Sequence, residues 1–358
     1  MIYDLINTFL KKTDPEIAHS IAIKALKSNL LPLNLLVSKP KLNLATKLFN
    51  KEFKSPIGLA AGFDKNAEVY NKFLKLGFGF VEVGTVTPKP QNGNAKPRVF
   101  RLSEDKAIIN RLGFPNDGFD KLKSRILNDK PQGILGINVG PNKSNAQKIE
   151  DYLYLIKELK DLADYITINI SSPNTEGLRD FHDLDKLGDL LSEINNINSN
   201  NSKIPILIKL SPDFENKNIE KMCELLLKES VNGIILTNTS VLNREKLINQ
   251  NRQESGGLSG FPIFKISNDK IKIFYKFIGK KIPIIGVGGV FDGETAYEKI
   301  KCGASLLQLY TSLVYQGPLI ASSINEELSN LLDRDGFKNL SEVVGINNNC
   351  LLYTSPSP

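Results

Sequence analysis

The chain is poor in the residues that build disulfide or metal-based scaffolds. Among its 358 residues are three cysteines and two histidines. The cysteines, Cys223, Cys302 and Cys350, lie far apart and form no CxxC pair. This spacing argues against a disulfide framework, a zinc site and a cysteine-ligated iron–sulfur cluster. We therefore expect no metal site, and a reducing cytoplasm is the natural compartment.

The sequence also lacks a long apolar run and a compact block of positive charge. No segment reaches the roughly 18 apolar residues that span a bilayer. Lys11, Lys12, Asp14 and Glu16 interrupt the N-terminus, where no small-residue cleavage site follows, so no signal peptide is expected. The net charge of +7 is spread along the chain. It suits anionic small molecules or an anionic membrane surface better than nucleic acid.

Residues 1–40 are predicted to form a helical segment of their own. A first helix places these apolar residues on one face: Ile2, Leu5, Ile6, Phe9 and Leu10. Thr13-Asp-Pro-Glu16 predicts the start of a second helix, with Pro15 in its first turn and Glu16 completing a capping box. These helices either pack on the main domain or form an amphipathic hairpin at a membrane surface, with lysines at the headgroup level.

Residues 41–347 show a regular alternation of strands and helices. Apolar, strand-like segments lie at 56–61, 80–84, 133–139, 165–170, 205–210, 233–236, 283–287 and 305–310. Helix-length amphipathic stretches such as 67–76, 146–162 and 295–301 separate them. Continuous apolar strands that alternate with helices predict a parallel sheet. Eight such units in roughly 260 residues fit an α/β fold of the closed (β/α)8 TIM-barrel type. A doubly wound open sheet is the alternative, although such sheets usually have fewer strands.

Nearly every predicted strand ends in small or polar residues. Examples are Ala61-Gly-Phe-Asp-Lys65, Asn138, Asn169-Ile-Ser-Ser-Pro-Asn174 and Thr237-Asn-Thr239. In a barrel, functional residues lie at the carboxyl ends of strands and in the loops that follow. Polar residues at such positions are poor core filler, so we expect an active site at this end.

Two glycine-rich segments are predicted to lie near an anion. Gly286-Val-Gly-Gly289 and Tyr310-Thr311 follow the seventh and eighth strands, where barrels commonly hold phosphate. Taken alone, the glycine segment could be a simple turn. Gly256-Gly-Leu-Ser-Gly260 reads either as a flexible crossing loop or as a second approach to the phosphate.

Several strand-end side chains suit a small polar ligand. Lys209 ends an apolar strand, where it either meets an anion or extends to solvent at the rim, and Lys65 is a similar cation. Asparagines after different strands offer paired donors and acceptors, as a ligand with a carboxylate and cyclic amides requires: Asn110, Asn169, Asn174 and Asn238. By itself, Ser172-Pro173 is most simply a turn. His19 and His182 do not end strands, so structural or surface roles are expected.

Together, these segments resemble the class 2, membrane-associated dihydroorotate dehydrogenases of pyrimidine biosynthesis. The resemblance covers Met1 to about Asn347. It is carried, in order, by Gly58-Leu-Ala-Ala-Gly-Phe-Asp-Lys65, Glu82-Val-Gly-Thr-Val-Thr-Pro88, Lys96-Pro-Arg-Val-Phe-Arg101, Asn110-Arg-Leu-Gly-Phe114, Asn169-Ile-Ser-Ser-Pro-Asn-Thr175, Thr237-Asn-Thr239, Gly256-Gly-Leu-Ser-Gly260 and Ile285-Gly-Val-Gly-Gly289.

The resemblance implies two sets of binding residues. For the FMN cofactor they are Ala61, Gly62, Phe63, Asp64, Lys65, Thr85, Asn138, Asn169, Lys209, Thr237, Gly260, Gly289, Tyr310 and Thr311. For the substrate they are Lys65, Asn110, Arg111, Leu112, Gly113, Phe114, Asn169, Asn174, Asn238 and Thr239.

The resemblance also implies a mechanism. Ser172 stands at the position of the catalytic base and removes a proton from C5 of dihydroorotate while C6 delivers a hydride to the flavin. The electrons then pass to a membrane quinone, which favours the membrane-surface reading of residues 1–40 and a peripheral location on the cytoplasmic side of the cell membrane. Related class 1 enzymes, which use soluble acceptors, carry cysteine where Ser172 stands. A tRNA dihydrouridine synthase would have a more basic face and an RNA-binding domain, and a non-enzymatic barrel would not need Lys65, Ser172 and Lys209.

The C-terminal residues 350–358 do not continue the family pattern. Cys350-Leu-Leu-Tyr-Thr-Ser-Pro-Ser-Pro358 matches the translation of a common sequencing-library adapter. We hypothesise that natural sequence ends near Asn349. Resequencing the source locus tests this hypothesis, because a genuine genomic codon run there would contradict it.

Overall fold

The computed structural model describes residues 13–28, 37, 40–145, 149–198, 203–242 and 244–351, with backbone alone for 349–351. The first predicted helix, around Ile2, and residues 352–358 of the predicted tail lie outside the described residues. No helix in the described part of the chain combines the length and apolar character needed to cross a membrane.

The strands, in chain order, are β1 (Thr46–Leu48), β2 (Lys51–Phe53), β3 (Ile57–Leu59), β4 (Phe80–Val86), β5 (Val99–Leu102), β6 (Ala107–Asn110), β7 (Ile134–Val139), β8 (Tyr165–Asn169), β9 (Ile206–Leu210), β10 (Gly233–Leu236), β11 (Gly257–Gly260), β12 (Ile284–Val287) and β13 (Ala304–Leu309). A closed barrel forms in the order β10-β12-β13-β3-β4-β7-β8-β9, with every neighbouring pair parallel. The predicted barrel and its eight strands are confirmed.

The α-helices are α1 (Pro15–Lys27), α2 (Tyr70–Lys75), α3 (Phe119–Asn128), α4 (Glu150–Leu159), α5 (Leu184–Ile197), α6 (Ile219–Lys228), α7 (Phe264–Ile278), α8 (Gly293–Lys301), α9 (Thr311–Gln316) and α10 (Ile320–Asp335). Helices follow barrel strands around the outside and bury one apolar face against them, as α6 does with Ile219, Met222, Cys223 and Leu226. The predicted helices 67–76, 146–162 and 295–301 correspond to α2, α4 and α8.

The amino-terminal end of the barrel is closed by apolar side chains. Phe80 and Tyr165 point into the interior and are fully buried. A Cβ at Gly58 would lie 2.3 Å from the Phe80 ring, so only glycine leaves room for that ring. The β1–β2 hairpin covers this end, where Phe49 packs on Phe53 with ring centroids 6.3 Å apart. Apolar packing therefore closes the amino-terminal end of the barrel, and polar interior side chains lie toward the carboxyl end.

A small antiparallel sheet, in the order β11-β6-β5, stands beside the carboxyl end of the barrel. Leu258 in β11 pairs with Ile109 in β6. Of the two alternatives left open for 256–260, the flexible crossing loop is wrong, because residues 257–260 form the paired strand β11. Its two glycines at the strand ends hid it from a reading based on strand propensity.

Helix α1 lies against this sheet. Its N-cap is Asp14, whose side chain accepts the backbone N–H groups of Glu16 and Ile17 at 3.0 Å each. Pro15 occupies the first turn as predicted. The predicted capping box is wrong, because Asp14 is the cap and the Glu16 carboxylate instead binds Arg98. This ion pair joins the N-terminal helix to the barrel domain.

Candidate active site

The carboxyl ends of the barrel strands enclose a cavity of about 1170 Å³, including its open mouth. Most predicted site residues lie in its wall. From the predicted catalytic and substrate set these are Ser172, Lys65, Asn110, Leu112, Gly113, Phe114, Asn169, Asn174, Asn238 and Thr239. From the predicted cofactor set they are Ala61, Gly62, Thr85, Lys209, Thr237, Gly260, Gly289, Tyr310 and Thr311. Barrel closure thus brings distant parts of the sequence into one site.

Phe63 and Asp64, from the predicted cofactor set, stand behind this wall. The Phe63 ring packs edge-on against Tyr310, with centroids 5.6 Å apart. The Asp64 carboxylate accepts the backbone N–H groups of Glu68 and Val69 at 2.7 and 2.8 Å. Both side chains therefore stabilise the conformation of the loop after β3.

Arg111, from the predicted substrate set, also points away from the cavity. Its Nη1 lies 2.7 Å from Glu254 Oε2, and its guanidinium carbon lies 4.6 Å from the centroid of the Phe100 ring. These contacts tie the residues after β6 to the segment before β11. The structure therefore brings the neighbours of Arg111 into the cavity but not its guanidinium.

Glu82 is a fully buried carboxylate inside the barrel. It accepts hydrogen bonds from Asn138 Nδ2 and Gln308 Nε2, both at 2.8 Å, and from the hydroxyls of Tyr165 and Thr167, both at 3.1 Å. Because a carboxylate only accepts, both amides must turn their NH2 groups toward it. Glu82 is not among the site residues predicted from the sequence, although a charge in the middle of the apolar strand β4 is a usable signal.

Asn138, once oriented by Glu82, in turn orients residues that line the cavity. Its Oδ1 accepts from Thr85 Oγ1 at 2.6 Å and from Asn169 Nδ2 at 3.2 Å. Asn169 Oδ1 in turn accepts from Ser171 Oγ at 3.1 Å, and Asn238 Nδ2 donates to the same hydroxyl at 2.8 Å. One buried network therefore fixes which donors and acceptors the cavity presents.

Ser172 lies in the loop after β8 and is nearly buried. Its Oγ accepts the N–H of Asn174 at 3.3 Å, and Asn174 Nδ2 donates to Asn110 Oδ1 at 3.3 Å. Within the described residues, no carboxylate or imidazole is hydrogen-bonded to Ser172. The predicted Ser172 therefore contacts Asn174, and Asn174 in turn contacts Asn110.

Arg179, which is not among the site residues predicted from the sequence, anchors the loop that carries Ser172. Its Nε donates to Ser171 O at 3.2 Å and its Nη2 to Thr239 O at 3.3 Å. Its Nη1 lies 3.1 Å from Asp213 Oδ2. One guanidinium therefore joins the loops after β8, β9 and β10. No local pattern marks Arg179, because its partners come from three separate segments.

Two lysines give the cavity a positive potential. Lys65 lines the wall, and burial lowers its pKa to about 8 against the opposing charges of Glu16 and Asp64. Lys209 is buried at the end of β9. Burial lowers the pKa of Lys209, while the Glu82 carboxylate opposes this shift. Cations in these positions favour an anionic ligand or an anionic form of a ligand.

The family model for dihydroorotate dehydrogenase matches residues 43–332 of this chain. The chain belongs to the dihydroorotate dehydrogenase family. A dihydroorotate dehydrogenase (quinone) of Bartonella tribocorum is 46% identical over 335 residues, covering 92% of each chain. One of Parvibaculum lavamentivorans is 41% identical and covers 96% of this chain and 98% of its own length. The predicted class 2 resemblance is thereby confirmed.

Solved dihydroorotate dehydrogenase structures share the fold. The structure from Eimeria tenella in complex with ferulenol has a TM-score of 0.90 and 34% identity, covering 96% of this chain and 98% of its own. The ligand-free form from Eimeria tenella has a TM-score of 0.89.

Dihydroorotate dehydrogenases are flavin-dependent, and the cavity wall fits such a polar ring system. Among the described residues, three buried oxygens of this wall lack a hydrogen-bond partner: Thr237 Oγ1, Gln308 Oε1 and Ser312 Oγ. Buried polar atoms are normally satisfied, so a ligand is the natural partner of these three. Gln308 and Ser312 are not among the site residues predicted from the sequence, although a glutamine within the apolar strand β13 is a usable signal.

The glycines of the predicted phosphate cradle are required by close packing. A Cβ at Gly260 would lie 2.3 Å from Lys106 O, and one at Gly289 would lie 2.4 Å from Phe264 Cβ. Both residues also have positive φ angles. Only glycine fits at these two positions, and both residues line the cavity of the dehydrogenase.

A second cavity of about 800 Å³, including its open mouth, lies between α1 and the barrel. It shares Lys65, Val99, Leu112 and Tyr310 with the main cavity. His19 of α1 also lines it and packs on Phe63 behind that wall, with ring centroids 4.8 Å apart. Burial lowers the pKa of His19 to about 3, so the ring is neutral. His19 therefore has a structural role, as expected, and it also lines the second cavity.

His182 has the structural role expected of it. Its ring packs edge-on against Phe214, with centroids 5.7 Å apart. Burial lowers the pKa of His182 to about 4, so this ring too is neutral.

Proposed function

We propose that this chain oxidises (S)-dihydroorotate to orotate in pyrimidine (UMP) biosynthesis, with FMN as prosthetic group and a membrane quinone as electron acceptor. The observation that supports it most is the environment of Ser172. This hydroxyl shares one cavity with Asn110, Asn174 and Asn238, and with the cation of Lys65. Dihydroorotate carries ring amides and a carboxylate. Its binding and oxidation require amide side chains for the ring, a cation for the carboxylate and a base for the proton.

The FMN would occupy the deeper part of the main cavity. Its phosphate would be held by the backbone N–H groups of two glycines that line the cavity, Gly260 and Gly289, with Thr311 beside them. Lys209 would place its cation near the ring edge that becomes negative on reduction. The network that runs from Glu82 through Asn138 to Asn169 would fix the polar contacts to the ring.

The substrate would bind between Lys65 and the asparagines. Lys65 binds its carboxylate, and Asn110, Asn174 and Asn238 orient its ring amides. Ser172 removes the proton from C5. When bound, FMN would supply the hydride-accepting chemistry opposite C6 and the redox link to the quinone. Because the protein's groups are preorganised, much of the rate enhancement would come from positioning.

The second cavity provides a route for the quinone. It lies beneath α1 and shares part of its wall with the main cavity. On α1, Ile17 and Ile21 are 56% and 40% exposed, and Lys24 is also exposed. Apolar side chains beside a lysine suit the interface of an anionic membrane. We therefore place the protein peripherally on the cytoplasmic side of the cell membrane, with residues 1–40 as its membrane and quinone-access segment.

The decisive experiment compares electron acceptors. Purified protein is given dihydroorotate with a quinone, fumarate or NAD in turn, and orotate formation is followed. Turnover with quinone, in a protein that carries FMN absorbance, is the expected result. Turnover with fumarate or NAD but not with quinone would instead indicate a class 1-like enzyme with a soluble acceptor. A colourless protein without turnover would contradict both functions.

A further inference from the structure

Lys299 in α8 is a fully buried lysine that the proposed reaction does not use. Its Nζ donates to Ser267 Oγ at 2.9 Å and to Asn268 Oδ1 at 2.5 Å, and lies 5.1 Å from the centroid of the Phe264 ring. All three partners are neutral. Burying an ammonium group without an anion is costly, so a nearby negative charge is expected.

The described part of the chain supplies no such charge within ion-pair distance. The titratable groups that act on Lys299 are Cys302 and Glu298. The Glu298 carboxylate forms its ion pairs with Lys301 at 3.3 Å and with Lys272 at 3.9 Å. Burial lowers the pKa of Lys299 to about 7. The protein alone therefore leaves this cation poorly compensated.

Lys299 lies directly behind the glycine loop that follows β12. A Cβ at Gly286 would lie 2.8 Å from Lys299 Cδ. Ser267 Oγ, which accepts from the ammonium, donates to Val287 O at 2.6 Å. A Cβ at Gly288 would lie 3.2 Å from Ser267 Cβ. The Ser267 hydroxyl thus links the Lys299 ammonium to the cavity wall at 287–289.

Two further features make this corner favourable for an anion. Helix α7 begins at Phe264, and a Cβ at Gly289 would lie 2.6 Å from Phe264 Cα, so the positive end of the helix dipole meets the same loop. The buried Ser312 Oγ faces the same cavity and has no hydrogen-bond partner among the described residues.

On the basis of the FMN site proposed above, we propose that Lys299 is a buried counter-charge for the phosphate of the flavin nucleotide. It is a positioning residue: it acts through Ser267 and the 287–289 loop without touching the ligand. Its charge would strengthen binding of the phosphate group and leave binding of the isoalloxazine ring unaffected.

A comparison of FMN with riboflavin tests this role, because riboflavin has the same ring and no phosphate. The flavin is removed from the full-length protein, and the Kd of each ligand is measured by quenching of flavin fluorescence. Lys299→Met should weaken FMN binding by about tenfold or more, as expected for a lost charge in a region of low dielectric. Riboflavin binding should stay within about twofold, since it makes no phosphate contact.

Lys301→Met is the matched control, since it removes a partly exposed lysine, paired with Glu298, from the same helix. It should leave both Kd values unchanged. Lys299→Gln is a second neutral variant that retains a donor for Ser267 and Asn268. Equal weakening of FMN and riboflavin, unchanged FMN binding, or failure of both neutral variants to fold would overturn the proposal. A wild-type protein that binds neither flavin would instead overturn the proposed FMN site itself.

Discussion

Glu16 and Arg98 form a bidentate ion pair that joins helix α1 to the barrel. Glu16 Oε1 lies 2.9 Å from Arg98 Nη2, and both carboxylate oxygens lie 3.2 Å from Arg98 Nε. The guanidinium also donates to the backbone oxygens of Asn92 and Asn94 at 2.6 and 2.8 Å. Among the charged groups that raise the pKa of Lys65, Glu16 makes the largest contribution. The helix proposed to contact the membrane thus influences the charge of the proposed substrate site.

Replacing this carboxylate should move the pH dependence of substrate binding. Burial holds the pKa of Lys65 at about 8, and a protonated Lys65 binds the substrate carboxylate, so KM should rise as pH increases through about 8. Glu16→Gln removes a charge that raises this pKa and leaves the repelling Arg98 cation unpaired. The rise in KM should therefore begin at lower pH. Steady-state KM for dihydroorotate between pH 6 and about 9.5 measures it.

Glu158→Gln is the control for that series. Glu158 is a surface carboxylate paired with Lys123 at 2.9 Å on the outer helices. Its KM profile should match that of the wild type. An unshifted profile in Glu16→Gln would show that the charge of Lys65 does not depend on Glu16.

Removing the Ser172 hydroxyl should separate flavin binding from turnover. Ser172→Ala deletes the proposed base, and loss of a general base typically lowers kcat by about 10² to 10⁴. The neighbouring network through Asn169 and Ser171 does not use this hydroxyl, so flavin content should be retained. The measurements are the flavin absorbance per protein and kcat. Undiminished turnover would refute the assignment of Ser172 as base.

Loss of the Arg179 anchor should impair catalysis through positioning alone. Arg179→Met removes the hydrogen bonds to Ser171 O and Thr239 O and leaves Asp213 without its ion pair. We expect kcat/KM to fall by about 10- to 100-fold, because small misplacements of a reacting group are costly. Flavin content should not change. Arg334→Met removes a surface arginine and should leave kcat/KM at the wild-type value; an equal loss there would point to a general effect.

Charged substitutions on α1 should weaken membrane binding. Ile17 and Ile21 are exposed one helical turn apart, and each buried isoleucine contributes about 1.5 to 3 kcal/mol of transfer free energy. The Ile17→Asp, Ile21→Asp double variant should therefore bind vesicles of mixed phosphatidylcholine and phosphatidylglycerol at least about tenfold more weakly in co-sedimentation. Leu127→Asp, at a similarly exposed position on α3, should bind as the wild type does. Equal binding by the double variant and the wild type would argue against α1 as the contact.

The barrel itself could be predicted because its strands are buried on both faces. Such strands appear as continuous apolar runs, and those at 165–170 and 205–210 match β8 and β9 to within one residue at each end. The small sheet could not be predicted, because its strands are too short to give a clear local pattern. β5, β6 and β11 are four residues long, and β11 has glycine at both ends. Their pairing depends on distant partners rather than on local pattern.

The amino-acid sequence by itself determined the α/β barrel, the end at which polar side chains collect, and the set of family motifs that includes Ser172. These features follow from local polarity and spacing, which a linear chain records directly. Only the tertiary structure decided that Arg179 anchors three loops, that Glu82 orients Asn138, and that Lys299 stands behind the glycine loop. Each of these depends on side chains that barrel closure brings together, and on burial, which turns an ordinary charge into one that needs a partner.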